Sequence, residues 1–256
     1  MKDIHSHILF GVDDGAKTIE DSVELIKMAK SIGYDGIVCS SHFYPEKYEN
    51  KNYDHNFEIL KNRLAEEGIE VTLYKGNEVS LHADIFNKIK KINTINNSKY
   101  ILIELNYGII YQTCAKFLAK LQDLGYKPIL AHIERYYEFT GKQFIELYNS
   151  GIILQVNIRQ INHLSQDIKY LFQKKYIGIV ATDTHNLTRR NYDVEKYLDY
   201  LKNFVGDEYF NILTEENPSK ILNNQEIKKG EVHNEKKNSR NIFATFWNKL
   251  FSTNGS

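Results

Sequence analysis

The sequence predicts an α/β barrel built as one domain. Seven short apolar, β-branched runs alternate with segments of helical period. No linker-like stretch divides the first 227 residues. Histidines and carboxylates gather at the ends of the apolar runs. Repeated strand–helix units imply parallel strands, and right-handed crossovers repeated seven times curl into a barrel. A chain of 256 residues and 30.0 kDa suits one such barrel.

The candidate strands are 3–7, 36–42, 71–79, 100–106, 128–133, 152–158 and 178–185. Between the first two, Thr18 and Asp21 have capping-box spacing. Ile19, Val23, Ile26 and Ala29 then line one helical face, and Gly33 marks the stop. Cys114, Phe117, Leu118, Leu121 and Leu124 form a similar stripe before Gly125. Val194, Tyr197, Leu198 and Leu201 form another. Less regular patterns mark helices at 52–67 and 166–175.

Composition narrows the function. Lys+Arg and Asp+Glu both number 33, so the whole-chain basic field expected of a nucleic-acid binder is missing and no nucleic-acid partner is expected. Two cysteines, Cys39 and Cys114, exclude a disulfide framework and any CxxC metal or redox site. The opening residues have no apolar core of a signal peptide, and no apolar run approaches the ~18 residues needed to cross a bilayer. A cytoplasmic, soluble protein is expected. Its nine histidines are the first sign of chemistry.

In a parallel barrel, catalytic groups sit at the C-terminal ends of strands. Those ends read His5-Ser6-His7, with Asp13-Asp14 following; then His42, Glu78, Glu104 and His132; and finally Asp183-Thr184-His185. Strand six offers only Asn157. Residues i and i+2 of a strand point the same way, so His5 pairs with His7 and Asp183 with His185. Imidazole and carboxylate without thiolate suit Mn, Zn or Fe(II). Nine donors exceed the needs of one or two tetrahedral ions and suffice for three if a carboxylate bridges.

A lone histidine in a core is usually a hydrogen-bonded structural residue, which is the reading for His55, His82, His163 and His233. Donors at six of seven strand ends are much harder to reach by chance. Buried at a strand end, Glu78 or Glu104 would each cost several kcal/mol, to order of magnitude, unless paired or metal-bound. Arg135, Arg189 and Arg190 lie just beyond ligand-bearing strand ends, where guanidinium forks suit phosphate oxygens. Three divalent ions among four carboxylates leave an excess of about two positive charges, which matches a phosphoryl group of about −1.5 to −2. Phosphomonoester hydrolysis, slow without a catalyst, is therefore the expected reaction.

The segments Asp3-Ile4-His5-Ser6-His7, Asp13-Asp14-Gly15-Ala16, Ser41-His42, Gly76-Asn77-Glu78-Val79, Ile103-Glu104, His132-Ile133-Glu134-Arg135-Tyr136 and Thr182-Asp183-Thr184-His185-Asn186 resemble the PHP (polymerase and histidinol phosphatase) superfamily. Within it, they resemble the capsule-locus protein-tyrosine phosphatases of the CpsB/YwqE type, from the start of the chain to about residue 226. The resemblance implies a single distorted (β/α)7 barrel of PHP fold with a three-ion, manganese-type site; Zn, Fe and Mg are the other candidate ions. It implies that His5, His7, Glu78 and Asp183 hold one ion, that Asp14, His42 and His185 hold a second, and that Glu104 and His132 hold a third with Glu78 bridging. Arg135 and Arg190 would grip the phosphate. Asp13 competes with Asp14, and Arg189 with Arg190, and spacing does not separate them. Ser40-Ser41-His42 departs from the commoner Thr-Pro-His pattern but keeps the ligand.

The implied substrate is the phosphotyrosyl C-terminal tail of a bacterial tyrosine kinase that controls capsular or exopolysaccharide synthesis. The alternative is a small phosphomonoester such as histidinol phosphate. A cysteine-dependent phosphatase needs an arginine six residues after its nucleophile; Cys39 is followed there by Pro45 and Cys114 by Lys120. An amidohydrolase barrel would use a bridging lysine and a strand-six histidine, and neither is evident.

Residues 1–227 form the expected phosphatase barrel, and 228–256 read as a basic mobile tail. The tail carries six Lys/Arg and two Glu. Ile242, Phe243, Phe246, Trp247, Leu250 and Phe251 fall on one helical face, with Lys236, Lys237, Arg240 and Lys249 beside or among them. That pattern predicts peripheral contact with the inner face of a membrane, or with a partner there.

Overall fold

The structure is a computed structural model and describes residues 1–227. The expected tail, including His233 and the amphipathic segment, lies outside the described residues. Nine strand segments run through the body: β1 (Lys2–Ser6), β2 (Gly36–Cys39), β3 (His42–Phe43), β4 (Thr72–Lys75), β5 (Glu78–Ser80), β6 (Tyr100–Glu104), β7 (Lys127–Leu130), β8 (Ile153–Asn157) and β9 (Ile177–Ala181). All pair in parallel, in the orders β1-β2-β4 and β3-β5-β6-β7-β8-β9.

The nine segments are seven passes, because the predicted second and third strands are each broken once. Ser40-Ser41 separates β2 from β3, and Gly76-Asn77 separates β4 from β5. The two breaks lie side by side. Glu78 N donates to Ser40 O at 2.8 Å, and Asn77 Nδ2 donates to Ser41 O at 2.8 Å. A Cβ on Gly76 would meet Val38 Cγ1 at 2.5 Å, so only glycine allows this approach. The ring closes where the chain beyond β9 meets β1. Ser6 bridges Thr184 in parallel, His7 N donates to Thr184 O at 2.7 Å, and Asp183 N donates to His5 O at 2.8 Å.

Alternation along the strands sorts the core into two parts. Tyr100 and Leu102 of β6, Ile153 of β8 and Ile179 of β9 fill the lumen with Val38 and Ile129. Their neighbours Ile101, Ile103, Leu154, Val156 and Val180 face the helices. Two residues beyond Leu102, Ile153 and Ala181 along the inward rows stand Glu104, Gln155 and Asp183, with Asn157 two residues after Gln155, so the apolar lumen gives way to a polar mouth. β1 needs a further device. Its pairing with β2 slips by one residue between Asp3 and Ser6. The slip lets Ile4 join the lumen while His5 and His7 still reach the mouth, which an unbroken strand could not do.

The helices are α1 (Ile19–Ser31), α2 (Tyr53–Glu66), α3 (Ile85–Lys88), α4 (Tyr111–Asp123), α5 (Gly141–Asn149), α6 (Gln166–Gln173), α7 (Glu195–Val205), α8 (Asp207–Asn211) and α9 (Asn217–Leu222). The Thr18–Asp21 capping box forms as the spacing predicts. The sequence reading assigned no helix to α5, yet Thr140 and Gln143 form a second capping box there. At the opposite end from the mouth, Ile221 and Leu222 of α9 enter the lumen cluster. Asn217 Nδ2 pins this plug to Gly178 O at 2.9 Å.

Asp3 anchors the closing seam. Its buried carboxylate accepts from Thr182 Oγ1 at 2.5 Å, Tyr192 Oη at 2.8 Å, and the amides of Thr182 and His5 at 3.2 Å. Asp3→Ala would leave the Tyr192 and Thr182 donors unpaired in the interior. The expected cost is roughly 2–4 kcal/mol, read as a lower urea midpoint with an unchanged m-value, and Asp3→Asn should recover part of it.

Candidate metal centre

Every donor expected from the strand ends arrives at the same mouth. His5, His7, Glu78 and Asp183 form one buried group, His7, Asp14, His42 and His185 a second, and His42, Glu78 and Glu104 a third. Within each group the ligand-capable atoms all lie within 4.8 Å of one another. His132 joins through Glu78 Oε1 at 2.8 Å and Glu104 Oε1 at 3.5 Å. The grouping differs from the expected partition in three respects: His7 belongs to two groups, His42 stands in the third group with Glu78 and Glu104, and His132 reaches the cluster only through those two carboxylates.

Glu78 is the hub. Its Oε1 faces His5 Nε2 at 3.3 Å and His132 Nε2 at 2.8 Å, and its Oε2 faces His7 Nε2 at 3.1 Å and His42 Nδ1 at 3.2 Å. Burial disfavours the charged carboxylate, but His5, His132 and His7 outweigh it and hold Glu78 well below the usual range. The imidazoles respond in kind. Burial lowers His132, yet Glu104 and Glu78 bring it up to about 9. His185, desolvated and beside His7 and Arg190, is pushed down to about 2 and stays neutral.

The structure separates Asp13 from Asp14. Asp13 is turned inward and fully engaged: it accepts from His7 Nδ1 at 2.7 Å, His42 N at 2.8 Å and Gly15 N at 2.9 Å. Burial opposes its charge, but His7 brings it down to about 2. Asp14 is half exposed, with Oδ1 at 3.4 Å from His42 Nε2 and 3.8 Å from His185 Nε2. The turn packs so tightly beneath β1 that a Cβ on Gly15 would lie 2.0 Å from His7 O.

Arg189 and Arg190 also part company. The amides of Thr188, Arg189 and Arg190 all donate to Asn186 Oδ1, and the amides of His185 and Asn186 donate to Arg190 O. This tight loop returns Arg190 to the mouth and leaves Arg189 in solvent. Arg190 Nη2 and Arg135 Nη2 each pair with one oxygen of Asp183. Both guanidiniums remain partly exposed, at 36% and 40%, so an incoming anion can reach them.

Other residues position the donors. Gln155 Oε1 lies 3.2 Å from His5 Nδ1 and accepts from His132 N at 2.8 Å. Its amide donates to Asn157 Oδ1 at 2.8 Å, and Asn157 Nδ2 donates to Asp183 Oδ2 at 2.8 Å. Tyr136 Oη lies 3.3 Å from His132 Nδ1. Sequence reasoning missed Gln155 and Tyr136. The available signal was two polar residues, 155 and 157, at period two inside the apolar run 152–158. His132 and Asp183 have φ of 34° and 55°, a left-handed backbone that costs non-glycine residues on the order of 1–3 kcal/mol and clusters at functional sites.

His55 and His163 are exposed rather than in the core as expected, and His82 Nδ1 accepts from Asp84 N at 3.2 Å; none of them belongs to the cluster. Cys39 and Cys114 are buried and free. Burial pushes both thiols up, Cys114 to about 12, which removes the thiolate a nucleophile requires.

The donor set fits divalent cations. Five imidazoles and four carboxylates converge without a thiolate, and several of the ring nitrogens turned inward are held there by partners behind them. Burial lowers His7 and His132, but Asp13 and Glu78 raise the first and Glu104 and Glu78 the second, so cation binding at these imidazoles competes with protons.

Fold and site together define a parallel α/β barrel with a clustered imidazole–carboxylate centre at its mouth. The chain belongs to the capsular polysaccharide synthesis, CpsB/CapC, family, whose model matches residues 1–223. It is 32% identical over 244 residues to tyrosine-protein phosphatase CpsB of Streptococcus agalactiae, covering 89% of this chain and all of that one. It is 30% identical over 241 residues to tyrosine-protein phosphatase YwqE of Bacillus subtilis, covering 89% of this chain and 93% of that one. Crystal structures of YwqE from Bacillus subtilis and CpsB from Streptococcus pneumoniae, named as metal-dependent tyrosine phosphatases, match with a TM-score of 0.81 and 28% identity. That match spans 90% of this chain and 97% of the other.

The two aspartates should behave differently when replaced. Asp14→Asn should lower the number of divalent ions bound at saturation. Asp13→Asn should preserve that number but weaken affinity by roughly 10–100-fold, since Asp13 orients His7 and holds the His42 and Gly15 amides without facing the donor groups itself. Metal titration followed by elemental analysis distinguishes these outcomes.

Proposed function

We propose that the chain is a metal-dependent protein-tyrosine phosphatase with manganese as its working ion. The observation that carries the reading is the convergence of nine imidazole and carboxylate donors at one mouth, Glu78 among them, with Arg135 and Arg190 at the same rim. Names of family members at about 30% identity support it. When bound, divalent ions would activate water at neutral pH and neutralise phosphoryl charge. His5, His7, Glu78 and Asp183 would hold one ion, Asp14, His42 and His185 a second, and Glu104 and His132 a third, with Glu78 shared.

The chain's own residues supply the rest. Arg135 and Arg190 move from Asp183 onto the phosphoryl oxygens and bind the charge that develops there. Gln155, Asn157 and Asp13 keep the donors aimed. No strong general acid is required for a tyrosine leaving group, whose pKa is near 10. The substrate is the phosphotyrosyl tail of a bacterial tyrosine kinase governing capsule or exopolysaccharide synthesis. The protein acts in the cytoplasm, and among the described residues no helix is long and apolar enough to cross a membrane. The basic and aromatic segment at 236–251 brings it to the membrane surface, where each nearby basic residue contributes about 1 kcal/mol of attraction to anionic lipid.

Chelation should abolish hydrolysis of a phosphotyrosyl peptide, and Mn²⁺ should restore it, while histidinol phosphate remains a poor substrate. A Cys39→Ser/Cys114→Ser variant should keep its rate; loss of chemistry in the folded variant would contradict the thiol-independent route. Arg135→Ala and Arg190→Ala should retain full metal content and lose on the order of 10²-fold in kcat/KM. Removing residues 230–256 should leave kcat on a small phosphotyrosine substrate unchanged and reduce sedimentation with anionic liposomes.

A further inference from the structure

A cleft opens beside the donor cluster, with two of the donors at its inner end. It encloses about 230 Å³ between the loop after β6 and the turn after β7. Glu104, His132 and Arg135 form its inner end; Leu105, Tyr136 and Phe139 line its sides, and Tyr107 stands at its mouth. The inner wall is rigid. Tyr136 Oη accepts from Leu105 N at 3.0 Å, and its ring centroid lies 6.0 Å from that of Phe139. Phe139 in turn packs against Phe144 at 5.7 Å and edge-on to Tyr111 at 5.6 Å.

The outer wall is different. Asn106 is pinned at both ends of its amide: Oδ1 accepts from Ser80 Oγ at 2.6 Å, and Nδ2 donates to Leu81 O at 2.8 Å. Gly108 turns the chain with φ of +78°. Tyr107 lies between them and is 100% exposed. A large aromatic ring exposed to water at the lip of a partly apolar cleft gains by covering a ligand.

We propose that this cleft receives the aryl ring of the substrate's phosphotyrosine, with Tyr107 as its outer wall and the Tyr136–Phe139 pair as its inner wall. The inference rests on the phosphatase reading above and adds the basis of selectivity for aryl over alkyl phosphates. Arg135 lines the cleft and is also one of the two guanidiniums at the donor cluster. A phosphoryl group bound there therefore directs its ester substituent along the aromatic walls. A ring fills that slot, whereas a short alkyl chain leaves both walls wet.

The test uses the full-length, Mn²⁺-loaded protein and two probes, phenylphosphonate and methylphosphonate, measured by calorimetry and as competitive inhibitors. The parent should prefer the phenyl compound. Tyr107→Ala should weaken phenylphosphonate by about threefold to tenfold, the range of an aromatic contact, and leave methylphosphonate unchanged. Tyr107→Phe should restore the preference. For phenyl phosphate hydrolysis, KM should rise in Tyr107→Ala while kcat holds. Equal weakening of both probes, or an unchanged ratio, would overturn the aryl site. A parent protein that binds both probes but hydrolyses no phosphomonoester would overturn the phosphatase reading instead.

Discussion

The Glu78 carboxylate, sealed among four imidazoles, is the constraint around which the rest is arranged. A buried carboxylate without partners costs several kcal/mol, to order of magnitude, so the fold must deliver those rings or cations to it. They come from β1, β3 and the end of β7, and a parallel barrel brings such ends together because all its strands finish on one side. Asp183, from beyond β9, completes the same group and faces the two arginines.

Meeting this demand distorts the barrel. The slip in β1 re-aims two histidines, and two strands break just before His42 and Glu78. His132 and Asp183 take up left-handed backbone. Stability is secured elsewhere: in the apolar lumen, in the α9 plug at the far end, and in the Asp3 hydrogen bonds across the closing seam. Backbone strain and clustered charge thus lie at the mouth, and close packing lies below it, a division that leaves the site free to bind while the scaffold holds it.

Most of the architecture was legible because strand period and strand-end chemistry coincide. The pairs His5/His7 and Asp183/His185 follow from i, i+2 geometry alone. What stayed hidden depends on the path of the chain between strands. Asp13 and Asp14 are adjacent and chemically alike; only the Gly15 turn decides which one faces inward. The selection of Arg190 over Arg189 comes from a loop organised by the Asn186 side chain. Gln155 carries no ligand signature, and its importance appears only when His5 and His132 are seen on either side of it. The breaks at Ser40-Ser41 and Gly76-Asn77 read as continuous strand, because hydrogen bonds between the two breaks sustain the pairing that the segments themselves lose.

The central claim is that one buried carboxylate binds the donor groups into a single multinuclear centre. The most direct measurement is the number of Mn²⁺ ions held per chain by Glu78→Gln, compared with the parent at saturating metal and with folding verified by circular dichroism. The amide keeps the size of the side chain and removes the charge shared by the groups. The account predicts about three ions in the parent and the loss of more than one in Glu78→Gln. A folded Glu78→Gln protein that retained the parent's full complement would contradict it.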